Sequence, residues 1–186
     1  MIGLGNPGPK YAGTRHNVGA AAVRRLADRL GVRLSSARGP AHWSRATHPD
    51  GSPSMALAVP DTYMNRSGAA ARYLLEELDL KPADLLVVVD DVHLDLGALR
   101  MRASGSAGGH NGTQDVIDRL GTQQFPRLRI GIGNDYPEGA QSDYVLGRFG
   151  ESQREVVDET LDTAGDAVLC FAAEGVETAM NQFNRS

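Results

Sequence analysis

His16 is the residue around which chemistry could be built, because imidazole is the side-chain type that exchanges protons near neutral pH. It lies at the end of Gly3-Leu4-Gly5-Asn6-Pro7-Gly8-Pro9-Lys10-Tyr11-Ala12-Gly13-Thr14-Arg15-His16-Asn17. Four glycines and two prolines in these fifteen residues forbid a helix through Gly13 and fix a backbone that presents side chains rather than burying them. Hydrolysis of an ester needs a base for water, a group that holds the base in one tautomer, and donors for the developing oxyanion. His16 is the candidate base. Asp90, at the end of the most apolar run in the chain, is the acid best placed to orient it. Asn6, Asn65 and Asn111 can donate carboxamide hydrogens without carrying charge. The single cysteine, Cys170, sits on an apolar helical stretch that favours buried packing, and no Gly-x-Ser-x-Gly elbow exists, so a covalent route is disfavoured.

Gly3-x-Gly5-x-x-Gly8 also matches the dinucleotide fingerprint, with Asp28 twenty residues on. The context opposes that reading. The fingerprint needs a full strand before it and a helix opening inside it, whereas only Met1 and Ile2 precede Gly3, and Pro7 and Pro9 flank Gly8.

Composition narrows the class. The 186 residues suffice for one domain, 1–186, and no Pro/Ser/charge-rich linker divides them. No apolar run approaches the roughly 20 residues that cross a bilayer, and no signal peptide is visible, so a cytoplasmic protein without a membrane partner is expected. A net charge of −4 argues against coating nucleic acid through bulk positive potential and leaves room for a local patch. Of the 19 basic residues only Lys10 and Lys81 are lysines; the arginine fork suits phosphate, although a GC-rich coding sequence gives the same skew.

The elements that must position these residues follow from periodicity. Val18, Ala22, Leu26 and Leu30 recur at spacing four, predicting a helix over 17–30 that Gly31 stops. Weakly apolar strands are expected over 32–36 and 42–47, joined by Arg38-Gly39-Pro40, and a turn at 49–53 leads to a more buried strand over 55–59. His42 and His48 read as decoration of a solvated hairpin. Ser67 can cap a helix to Leu78, which places Tyr63, Met64 and Asn65 at a strand-to-helix corner, where open α/β sheets bind ligands; core packing is the other reading of Tyr63 and Met64.

The continuous run Leu85–Val89 predicts a central strand covered on both faces. Asp90 and Asp91 end it with side chains on opposite faces, so one of them can enter a given site. Leu99 to Arg102 alternates apolar and basic, which sets Arg100 and Arg102 on one face as a candidate phosphate clamp or an ordinary solvated face. A glycine-rich stretch over 103–112 precedes a short helix over 115–120, with Asn111 a possible cap, then a strand over 127–133 and a loop over 134–142. From Glu151 a long amphipathic helix runs to a break at Gly175 and continues over 176–183. The order predicts a single-domain α/β/α sandwich around a mixed, mainly parallel sheet.

Taken together, Gly-Leu-Gly-Asn-Pro-Gly-x-x-Tyr-x-x-Thr-Arg-His-Asn-x-Gly, Thr62-Tyr63-Met64-Asn65-Arg66-Ser67-Gly68 and Gly108-Gly109-His110-Asn111-Gly112 resemble the signatures of the bacterial peptidyl-tRNA hydrolases, over nearly the whole chain. The resemblance implies cleavage of the ester between a peptide and the 3′ ribose of tRNA, as in rescue of ribosome drop-off products. It implies His16 as the base on water, Asp90 and Asn6 beside it, and Tyr11, Tyr63, Met64, Asn65, His110 and Asn111 as substrate contacts. Arg100 and Arg102 stand where that family carries basic residues for the tRNA backbone. No cofactor, no metal and no obligate protein partner are expected, and a monomer is. The chain departs from the family's pattern at Asp91-Val92-His93-Leu94-Asp95, at Val59 and at Thr113-Gln114, where an apolar and a basic residue are common. A catalytically weak RNA-binding paralogue is the alternative.

Overall fold

Leu85 to Asp91 sets the geometry of the molecule, because its alternate residues feed two different cores. A computed structural model describes residues 1–36, 39–51 and 54–184. Within them the strands β1 (Ile2–Gly3), β2 (Ser35–Ser36), β3 (Ala41–Ala46), β4 (Met55–Pro60), β5 (Val87–Asp91), β6 (Leu99–Arg102) and β7 (Arg127–Gly131) form one sheet in the order β2-β3-β4-β1-β5-β7-β6. The four central strands pair in parallel, and both flanks, β2-β3-β4 and β7-β6, are antiparallel. The expected mixed sheet is present, its parallel part confined to the middle.

Leu86 and Val88 of the central run point to one core, with α1 (Val18–Arg29) and α5 (Arg154–Phe183); Leu85, Val87 and Val89 point to the other, with α2 (Ser67–Leu78) and α3 (Asn111–Leu120). Helices on both faces give the three layers. Burying both faces of a strand is what permits its unbroken apolar sequence.

Two glycines let α1 settle on this sheet. A Cβ on Gly3 would lie 2.2 Å from the carbonyl oxygen of Gly19, and one on Gly19 would lie 2.2 Å from that of Val88. Gly3 and Gly19 thus serve close helix–strand packing. Ala20 N–H reaches Leu4 C=O at 2.9 Å across the contact, fixing where the loop between β1 and α1 begins and ends.

Several boundaries differ from the sequence-based expectation. The strand expected over 32–36 shrinks to Ser35–Ser36. Arg38 of the expected first turn, and Ser52 and Pro53 of the second, lie outside the described residues. The helix expected at 115 begins at Asn111, because the His110 imidazole accepts the Thr113 N–H at 3.1 Å and acts as N-cap in place of Asn111. The loop expected to end at 142 is instead followed by the helix α4 (Gln141–Leu146) from Gln141. Gly175, at φ 85°, breaks α5 where expected. Beyond it the chain returns to the sheet edge: Asn184 accepts from Met101 N–H at 2.6 Å and donates to Met101 C=O at 3.0 Å. Cys170 is half-buried, its thiol raised by burial and by Glu174. Among the described residues no helix is long and apolar enough to cross a membrane.

Candidate active site

The loop between β1 and α1 is held by its own last residue. Asn17 Oδ1 accepts the Asn6 N–H at 2.8 Å and Asn17 Nδ2 donates to the Asn6 carbonyl at 2.9 Å, so one carboxamide satisfies both backbone groups of Asn6 as a strand partner would. The Asn6 side chain is fixed in turn. Its Oδ1 accepts the Met64 N–H at 2.8 Å, which assigns Nδ2 to the free end, facing the cavity that Asn6 lines. Met64 is buried in the α2/α3 core, the packing reading of its side chain, and its backbone also orients Asn6.

His16 lies in a single 3-10 turn, Arg15–Asn17, just before α1, and is 8% exposed. Its Nδ1 lies 2.9 and 3.0 Å from the two oxygens of Asp90, which is 4% exposed at the end of β5. His110 Nε2 lies 2.9 Å from Asp90 Oδ1. Burial alone would raise the Asp90 carboxyl, but the charge and hydrogen bond of His110, and then those of His16, overcome it and hold the group well below the usual carboxylate range. An ionised carboxylate only accepts, so both rings must donate to it: His16 carries its proton on Nδ1 and keeps a lone pair on Nε2. The same assignment suits His110, whose Nδ1 must be bare to accept from Thr113. Asp91 diverges from Asp90 as an extended chain requires, pairing with Arg129 of β7 and accepting the His93 N–H at 2.7 Å.

These groups open on a cavity of about 800 Å³. Of the eleven residues singled out from sequence, ten line it: Asn6, Tyr11, His16, Tyr63, Met64, Asn65, Asp90, Arg102, His110 and Asn111. Tyr11 and Tyr63 meet edge to face at its rim with ring centroids 6.3 Å apart, and Tyr63 is 57% exposed. Arg100 does not line it. Arg100 and Arg102 do share a face of β6, opposite Arg129 and Arg127 of β7 respectively, so four guanidinium groups stand on two adjacent strands beside the cavity.

Two structural arginines were not legible as such. Arg127 reads in sequence as one more residue of a basic, alternating strand, yet it is buried: it donates to the carbonyls of Gly105, Ser106, Gln123 and Phe125 at 2.6 to 3.3 Å and stacks on Phe125. Burial, with the neighbouring Arg129 charge, pulls it down to about 10, which leaves it cationic at neutral pH. It ties down the glycine-rich segment that leads into His110. Arg15 does the same for the opposite wall. It donates to Arg148 C=O at 2.7 Å and to Gln153 Oε1 at 3.1 Å, and it lies over the rings of Tyr144 and Phe149. That grip seats α4 against the turn carrying His16. For Arg127 the sequence signal would have been an arginine flanked by the buried Phe125 and Leu128; Arg15, between Thr14 and His16, carries none.

An oriented imidazole, a directed carboxamide and a basic strand pair beside one cavity agree with what comparisons find. The family model for peptidyl-tRNA hydrolase matches residues 1–186. The chain is 49% identical over 184 residues to the peptidyl-tRNA hydrolase of Salinibacter ruber, covering 98% of this chain and 96% of that protein. It is 46% identical over 187 residues to that of Chlorobaculum parvum, covering 100% and 97%. The crystal structure of peptidyl-tRNA hydrolase from Acinetobacter baumannii superposes with a TM-score of 0.90 at 34% identity, covering 98% of this chain and 92% of that one. Matched from end to end in sequence and fold, the chain belongs to the peptidyl-tRNA hydrolase family.

Proposed function

We propose that this chain, acting as a single domain over residues 1–186, hydrolyses the ester that joins a peptide to the 3′ ribose of tRNA. The observation that carries the mechanism is the double contact of His16 Nδ1 with Asp90, which leaves Nε2 as the only basic position of the ring. Nε2 takes a proton from water as the water oxygen attacks the ester carbonyl. Charge then develops on the carbonyl oxygen, where the Asn6 Nδ2 amide, with Asn65 and Asn111 on other sides of the cavity, donates hydrogen bonds that strengthen as the charge grows. The tetrahedral intermediate collapses when the imidazolium returns its proton to the departing ribose oxygen. Asp90 stays ionised throughout and stabilises the transient imidazolium.

Both nitrogens of His110 are engaged within the protein, so its part is to hold Asp90 from the far side while the substrate lies against Tyr11, Tyr63 and Met64. Arg102 and Arg100 meet the tRNA backbone by charge. The protein works as a monomer in the cytoplasm, with peptidyl-tRNA its only required partner. A weak RNA-binding paralogue is not favoured, since the relatives that match the whole chain are named as hydrolases.

Release of labelled peptide from N-acetyl-aminoacyl-tRNA tests the reading, with enzyme well below substrate. Many turnovers per chain are expected, and none from His16→Ala, whose circular dichroism should match wild type. Folded wild-type protein that binds this substrate without releasing peptide would restore the paralogue.

A further inference from the structure

The groups that orient the base are also a set of metal donors. His16 Nδ1, an Asp90 oxygen and His110 Nε2 lie within 4.8 Å of one another. Their side chains are only 11%, 3% and 9% exposed, yet all three line the cavity. Two imidazoles and a carboxylate with a fourth position open to solvent make a donor set suited to zinc. Tetrahedral zinc with bonds of about 2.0–2.1 Å separates its donors by roughly 3.3 Å. The 2.9 Å imidazole–carboxylate contacts would each open by about 0.4 Å, and the two ring nitrogens, within 4.8 Å of each other, would close by up to about 1.5 Å to admit the ion.

Admitting it also requires each ring to move its proton to the other nitrogen, where a metal-bound imidazole normally donates to an acceptor or water. For His16 the other nitrogen, Nε2, is free to take the proton toward the cavity. For His110 the other nitrogen now accepts from the Thr113 N–H, but Thr113 Oγ1 lies 3.3 Å from the same atom and can take the proton instead.

We propose that the His16–Asp90–His110 centre binds one Zn²⁺, or a divalent ion of similar softness, and that the bound ion inhibits ester hydrolysis by inverting the tautomer of His16. With the metal on Nδ1 the ring proton sits on Nε2, and the lone pair that would take the proton of water is gone. No proton need leave the protein, since each neutral ring only exchanges which nitrogen carries its hydrogen. The inhibitory half rests on His16 being the base; the binding half does not.

The test uses full-length protein stripped with a chelator and titrated with ZnCl₂. Binding is read by competition with a chromophoric chelator, ring protonation by ¹⁵N NMR of the histidines, and rate with a minimal N-acetyl-aminoacyl nucleotide ester, which avoids zinc held by tRNA phosphates. The stripped enzyme should be fully active. One Zn²⁺ per chain should bind, with the rate falling in proportion to occupancy and returning on chelation, while the His16 signals change from Nδ1–H to Nε2–H. Asp90→Asn and His110→Ala should each weaken binding more than tenfold, and His42→Ala should not. Thr113→Val leaves all three donors in place and should weaken binding by about tenfold. Absence of stoichiometric binding, binding that survives Asp90→Asn and His110→Ala, or a saturated enzyme that keeps its rate would each overturn the proposal. Zinc binding with the tautomer change in a protein that never cleaves the ester would uphold the site and sink the hydrolase reading instead.

Discussion

His16 and His110 stand with ring centroids 4.9 Å apart and do not bond to each other; each donates to Asp90. A carboxylate so held is acceptor-only and pre-set, which converts a buried charge from a liability into the element that selects the His16 tautomer.

Asp90→Asn should therefore keep the fold and lower kcat by roughly 10²–10⁴-fold, because a carboxamide can point its NH₂ at Nδ1 and cannot stabilise the imidazolium. Circular dichroism measured beside the rate separates the two effects. The stability consequence has a definite sign. Asp90 is depressed in the folded state, so between that value and the unfolded one, about 3.9, the unfolded chain binds more protons. Its contribution is present above about pH 4 and is lost as pH falls below that. The melting temperature of wild type should drop more steeply between about pH 4 and pH 2 than that of Asp90→Asn; parallel slopes would show that Asp90 is not the group responsible.

Asn6 bears on selectivity as well as rate. A peptidyl group offers a neutral amide carbonyl beside the ester, while an aminoacyl group offers an ammonium, and Asn6 Nδ2 can serve only the first. Asn6→Ala should lower kcat/KM for N-acetyl-aminoacyl-tRNA by about 10²-fold and narrow its ratio to that for aminoacyl-tRNA. If the ratio is untouched in a folded variant, Asn6 merely shapes the loop.

The two arginines of β6 should separate. Arg102 lines the cavity and Arg100 does not, so Arg102→Ala should raise KM for tRNA substrates several-fold and reduce the slope of log affinity against log salt by about one, with Arg100→Ala smaller in both. A minimal nucleotide ester should be hydrolysed by both variants at the wild-type rate. Equal slowing of that ester would assign these residues to something other than phosphate.

Arg127→Met tests the buried anchor. Removing it takes the donor from the carbonyls of Gly105, Ser106, Gln123 and Phe125, of which the Phe125 bond is buried and the others are partly exposed, so the protein should lose about 1–3 kcal/mol in urea unfolding. KM should rise as the segment before His110 loosens. A variant as stable as wild type would mean that water or neighbouring residues replace the guanidinium without loss.

The parts read correctly in advance are those whose signal is local. The continuous apolar run at Leu85–Val89, the spacing of Val18, Ala22 and Leu26, and the glycines around Asn6 each encode their own geometry over a few residues. What escaped depends on partners far along the chain. α4 is only six residues long, and it is seated by Arg15, more than a hundred residues earlier, and by Tyr144 Oη donating to Ile132 C=O at 2.7 Å. No periodicity in 141–146 records either contact. The early start of α3 escaped because its cap is an imidazole, a side chain that seldom fills that role, oriented by an aspartate twenty positions back. Arg127 and Arg102 occupy equivalent places in alternating patterns, yet one is entombed and the other solvated. The difference lies in the segment 103–110, which folds over Arg127, and strand patterns carry no trace of such cover.

Asn184 sits at the far edge of the sheet. β6 is a border strand, and the outward N–H and C=O of Met101 would otherwise be bare. The Asn184 carboxamide presents one acceptor and one donor at the spacing of a peptide group, so a single side chain impersonates the next strand and occupies the place where a second molecule could begin to pair. The tail is in this sense a stopper against polymerisation. A protein that must meet long, flexible, newly made peptides, many of them able to extend an open sheet, has reason to keep that border shut.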